Sequence, residues 1–241
     1  MTTYTTTINI SNNDVAYLKE NGYSLYAFKA VQAAGNGAPT VWFKLEKKKL
    51  LTKTFIEWEE DFSGYNSLSQ IADKTVITTS NTIDTDLGNL ITIDTNGNLS
   101  NTTDGSKASV SFLNKDTQKY TVGINQMVNN EVNTLCAFPI LGAGAGRVIT
   151  PISKIALIFS TDKLKTSTVI TKAMSPGCFI DLTGTTDRTV EYSTDNGWSA
   201  NGASWLKTIN AFEDLKSLLI ESPSKSSEEL ILERNLEREG A

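Results

Sequence analysis

The sequence predicts an all-β protein: a single antiparallel β-sandwich, or flattened barrel, with one short N-terminal helix and a C-terminal helical extension. Three observations carry that reading. Period-two alternation and β-branched runs extend from Thr5 to about Thr194. Asn, Gly and Asp clusters interrupt them roughly every ten residues, and Ile155 to Phe159 is apolar at every position. Alternation turns one face of each strand to a core and the other to water, and short evenly spaced strands with polar punctuation suit sandwiches and barrels. A strand apolar on both faces needs cover on both, hence two layers. At 241 residues and 39% hydrophobic, the chain can build one large β domain.

In chain order, strands are expected at 5–10, 24–31, 40–45, 51–62, 75–79, 90–94, 108–113, 119–124, 133–139, 152–160, 166–172, 178–182 and 189–193. The 31 Thr, 22 Ser and 20 Asn are the material of such strands and of the turns between them. A helix is expected at 13–20, capped by Ser11 or Asn12 and ended by Gly22. Gly35-Asn36-Gly37, with Pro39 just after, reads as a loop, and Asn96-Gly97 as a hairpin turn, because both positions tolerate positive φ.

After Trp205 the texture changes, which divides the chain into a β-sandwich domain, 1–205, and a helical extension, 206–241. Ile209, Phe212, Leu215, Leu218 and Leu219 recur at helical spacing, and 221–227 is a polar linker. Ser226 stands three residues before Glu229 as a capping box for a second helix carrying Leu230, Ile231, Leu232 and Leu236. So short a helix is marginal alone, so it is expected to dock on its own domain or on a neighbouring subunit.

The chain has no histidine. That excludes Ser-His-Asp and Cys-His nucleophiles, a histidine base and His-ligated metals, and leaves catalysis to carboxylates, Lys, Tyr or Cys. A net charge of −5, with 18 Lys and only 4 Arg, argues against a nucleic-acid partner. The basic run Lys47-Lys48-Lys49, followed by Lys53, reads as a solvated turn. Met1 to Thr7 has neither a charged nor an apolar leader region, and no stretch suits a membrane-spanning helix, so the expectation is a cytoplasmic chain or one exported without a leader. Cys136 and Cys178 are expected to be buried free thiols.

No cofactor or metal is expected. Gly142-Ala-Gly-Ala-Gly-Arg147 lacks the P-loop lysine and leads into a strand, so it reads as a pliable connection. Asp94-Thr-Asn-Gly-Asn98 offers hard oxygens, yet the twelfth position from Asp94 is Gly105 rather than a bidentate Glu, which favours an Asx turn. Glu57, Glu59 and Asp61 would share one strand face, with Trp58, Glu60 and Phe62 on the other. Three acids on one face suit solvent better than a glycosidase pair. The alternating tract from Thr75 to Val122 has the pattern of surface hairpins, and also of a segment that refolds into a membrane barrel.

The segment most like a binding site is Tyr192 to Trp205, where Tyr192, Asp195, Asn196, Trp198, Asn201 and Trp205 interleave rings with amide and carboxylate groups. Aromatic faces stack on sugar C–H faces while Asx side chains satisfy hydroxyls, and the same rings suit a membrane interface. The texture of Thr/Asn-rich short strands with clustered Trp resembles cytosolic β-sandwich lectins and small β-pore-forming toxins of microbes and fungi, a likeness of composition that carries over no site residue. The leading expectation is therefore a non-enzymatic, lectin-like or toxin-like protein that binds a glycan or a membrane surface, as a homo-oligomer. A self-assembling subunit that exchanges its terminal segments is the alternative, and a carboxylate hydrolase the third.

Overall fold

The computed structural model describes residues 2–223. Threonine-rich alternation becomes the first strand, β1 (Thr3–Ile10), with Thr6, Ile8 and Ile10 buried. Ser11 then caps α1 (Asn12–Glu20), its hydroxyl accepting from the Asp14 amide, while Val15 and Leu18 bury the inner face. Gly22, at φ 84°, supplies the left-handed residue after the helix.

The chain continues through β2 (Ser24–Gln32), β3 (Ala38–Pro39), β4 (Phe43–Leu45), a 3-10 turn at Lys47–Lys49, and β5 (Lys53–Ser67). Then come β6 (Asn81–Thr85), β7 (Leu90–Ile93), β8 (Leu99–Thr102), β9 (Val110–Asn114) and β10 (Tyr120–Val128). Next are β11 (Glu131–Thr134), β12 (Cys136–Ile140), β13 (Gly146–Ser160), β14 (Gly177–Asp181), β15 (Asp187–Ser193) and β16 (Gly197–Ser199). Last are β17 (Leu206–Ile209), α2 (Leu215–Leu219) and β18 (Ile220–Glu221).

These strands make two sheets packed as an all-β sandwich. One runs β16-β15-β1-β5-β10-β12-β3, with β11 on β10 and β6 on β5. The other runs β17-β14-β13-β9-β7-β8, with β2 on β13 and β4 and β18 on β2. Pairing is antiparallel except for β1 with β15, β7 with β9, and β2 with β18. The main core, including Ile8, Trp42, Ile56, Trp58, Ile124, Ile155 and Leu157, fills the space between the sheets. Ala156 and Ile158 face the other way, under Ile170, Ala173, Leu215 and Leu219. The all-apolar segment 155–159 is thus covered on both faces, as its sequence requires.

Several expectations need correction. The helix expected over 206–220 is mostly absent. Leu206 to Ile209 pair instead with β14, Phe212 adopts φ 65°, and only Leu215 to Leu219 are helical, capped by Asp214. The free edge of β14 supplies hydrogen bonds that an isolated helix would forgo, and Phe212 is 75% exposed, so the apolar period never made one continuous face. The second helix, from Ser226 onward, lies outside the described residues. Segments 75–79 and 166–172 form only isolated bridges, such as Val76 with Thr168, because Lys74 (φ 62°) and Ser167 (φ 64°) break the ladder. Trp58 and Phe62 are buried but Glu60 is not. Phe62 pairs with Gln126 and Trp58 with Val128, so three β5 residues oppose Met127 alone, and this bulge swings Glu60 outward. Among the described residues, no helix is long and apolar enough to cross a membrane.

Candidate functional site

The β15–β16 hairpin turns at Gly197 (φ 71°), and the Asn196 amide donates to the Ser193 hydroxyl at 3.0 Å. Tyr192 and Trp198 face each other across the hairpin, with ring centroids 5.0 Å apart. Both pack on Phe159 of β13: Trp198 stacks at 5.3 Å and Tyr192 tilts at 4.6 Å. Trp205 lies under the Arg188 guanidinium, 4.8 Å away. The tryptophans therefore anchor the hairpin and the following loop to the core, and only Asp195, Asn196 and Asn201 of the six candidates are exposed.

Two of the six, Tyr192 and Asn196, meet at a cleft of about 430 Å³. Its other walls are residues that the sequence did not mark as binding residues. Asn9, Ile10 and Ser11 come from the end of β1, Asp14 from α1, Glu191 and Ser193 from β15, and Gly197 and Ser199 from β16. Parallel pairing of β1 with β15 sets Asn9 beside Glu191 and Ile10 beside Tyr192. No local pattern announces a contact between strands so distant in sequence. Asp195, Trp198, Asn201 and Trp205 do not line the cleft.

Asp14 ties its walls together. Its carboxylate accepts from the Ser11 hydroxyl at 2.6 Å and from the Thr194 amide and hydroxyl at 3.0 and 2.5 Å. Those bonds, Ser11 first, hold Asp14 below the usual carboxylate range. The folded value being lower than the unfolded one, the contribution is present above about pH 4 and is lost as pH falls through the folded value. Acid unfolding followed by circular dichroism from pH 7 to 2 checks it: Asp14→Asn is expected to flatten the loss of stability below about pH 4. With Asp14 and Glu191 as its charged groups and no Lys or Arg in its lining, the cleft disfavours anions.

The other candidates lie outside this cleft. Glu57, Glu59 and Asp61 are exposed along a shallow groove of about 220 Å³. Among the described residues, no group of three acidic or thiol side chains could hold a metal ion. Asp94 spends its oxygens on the Asn96 and Asn98 amides, at 2.8 and 2.9 Å, and on the Asn98 side chain at 3.2 Å. Arg147 donates to the Ala34 and Pro139 carbonyls, pinning the Gly-Ala loop. Cys136 and Cys178 are buried and unbridged, and burial pushes the Cys136 thiol up to about 12. No family model matches the chain, and no curated protein or solved structure matches it.

Proposed function

We propose that this chain is a non-enzymatic binding protein whose cleft between β1, α1 and the β15–β16 hairpin takes a glycan. One observation carries the reading: a concave site presents hydroxyl, amide and carboxylate groups around a single aromatic residue, Tyr192. Sugars need that combination, a ring for their C–H face and alternating donors and acceptors for their hydroxyls. The membrane-surface reading is less favoured because Trp198 and Trp205 are turned onto Phe159 and Arg188 rather than outward. Strand exchange is less favoured because β1 lies between β15 and β5 of its own chain, and removing it would open the sheet.

A glycan array run beside liposome sedimentation tests the proposal. Binding to a glycan and none to lipid is the expected result; lipid binding with a silent array overturns it. Asn196→Ala and Ser199→Ala each remove polar groups from the cleft without touching the core. Each is expected to weaken the glycan about tenfold, the worth of one hydrogen bond of about 1.4 kcal/mol, and to leave the unfolding midpoint in place.

A further inference from the structure

At the opposite end of β1 the sandwich encloses a lysine. Lys29 points from β2 between the sheets and is only 4% exposed. Its Nζ lies 4.6 Å from the centroid of the Trp58 ring, 5.5 Å from that of Trp42 and 5.9 Å from that of Tyr4. Among the described residues, no carboxylate lies within ion-pair distance of it. Above this box sits a polar rim, where the Tyr4 hydroxyl donates to the exposed Glu60 carboxylate at 3.1 Å. The surroundings also hold unpartnered polar atoms: Trp58 Nε1 and Gln126 Oε1, on residues 2% and 1% exposed. Gln126 belongs to the same cluster, since its main-chain carbonyl accepts from Trp42 Nε1 at 3.2 Å.

A lysine becomes a nucleophile when its surroundings disfavour the ammonium form. Here burial pushes Lys29 down to about 7, against the opposing pull of Glu60. Its free-amine fraction at pH 7 is then on the order of a thousand times that of an ordinary lysine.

We propose that Lys29 is a carbonyl-capturing amine that forms an imine with a small uncharged aldehyde entering beside the Tyr4–Glu60 pair. The nitrogen lone pair attacks the carbonyl carbon, the π pair moves to oxygen, and a proton passes from nitrogen to that oxygen to give a carbinolamine. The remaining lone pair on nitrogen then expels the protonated hydroxyl as water while the nitrogen loses its second proton, leaving a C=N bond. One amine and one aldehyde thus yield one imine and one water, with no oxidant or reductant. In this scheme Glu60, bonded to the Tyr4 hydroxyl at the rim, is the carboxylate that accepts and returns the moving proton, and Trp58 Nε1, which has no partner of its own, is the donor to the carbinolamine oxygen. The three rings favour an apolar aldehyde over a charged one.

The test uses the intact chain with limiting propanal and cyanoborohydride, which reduces any imine to a stable propylamine, followed by peptide mapping. At pH 7, Lys29 is expected to be labelled at least tenfold faster than the other lysines, with a rate that is half-maximal near pH 7. The α-amino group, which also titrates near neutrality, serves as an internal reference. Glu60→Gln is expected to slow labelling of Lys29 alone, and Lys29→Arg to abolish the fast phase. Label appearing on Lys29 no faster than on the other lysines, or at a rate still climbing above pH 9, overturns the proposal, and neither readout depends on a variant that folds.

Discussion

Replacing Lys29 with methionine is expected to stabilise the protein by about 4 kcal/mol at pH 6 to 7 and by almost nothing at pH 10 to 11. The folded lysine titrates near 7 and the unfolded one near its ordinary value of 10.5. Between those two values the unfolded chain binds the extra proton, so wild-type stability rises with pH across that window. Below pH 7 both states are protonated, and the cost of burying the ammonium is fully present and constant. At about 1.36 kcal/mol per pH unit, that window corresponds to about 4 to 5 kcal/mol. Methionine matches the lysine stem in length, carries no charge to desolvate, and makes favourable contacts with Tyr4, Trp42 and Trp58. Urea unfolding of both proteins at pH 6, 8 and 10 measures the difference. A gain that is the same at pH 6 and pH 10 would mean that Lys29 does not titrate between them.

Truncating Phe159 to alanine should cost about 3 to 5 kcal/mol, the range for deleting a buried aromatic side chain from a core that cannot collapse around the gap. Phe159 is 2% exposed and holds both Tyr192 and Trp198. Its loss removes the surface on which the β15–β16 hairpin rests, so glycan affinity should fall with stability. Asn196→Ala separates the two effects, because it should weaken binding at unchanged stability. Equilibrium unfolding, with binding measured at low temperature where Phe159→Ala remains folded, distinguishes them. A Phe159→Ala protein within 1 kcal/mol of wild type would mean that the three rings do not form one packed unit.

Much of the fold was legible in local patterns. Ser11 before α1 and the Asn96-Gly97 turn act through the backbone groups of their immediate neighbours. The apolar run at 155–159 announces its two-sided burial for the same reason: side-chain direction along a strand alternates with a period of two. The misreadings share a cause as well. Ile209, Phe212 and Leu215 fit a helical period, yet the strand at 206–209 is decided by an unfilled edge of β14, and Phe212 by a left-handed turn. Lys74 and Ser167 break two expected strands with positive φ that neither residue type advertises.

The candidate site divides along the same line. By itself the sequence determined an all-β, histidine-free, acidic chain and pointed to the Tyr192–Trp205 segment, because composition and short-range alternation are properties of neighbouring residues. Only the tertiary structure decided which way that segment's rings point, since Phe159 comes from a different strand and sheet and claims Trp198 for the core. It alone set Asn9, Ser11 and Asp14 against Glu191 and Asn196, through a parallel pairing of β1 with β15. It also made Lys29 unlike the other lysines. In sequence Lys29 is one lysine within an apolar strand, and only the packing of the two sheets brings Tyr4, Trp42 and Trp58 around its amine and excludes the water that would keep it charged.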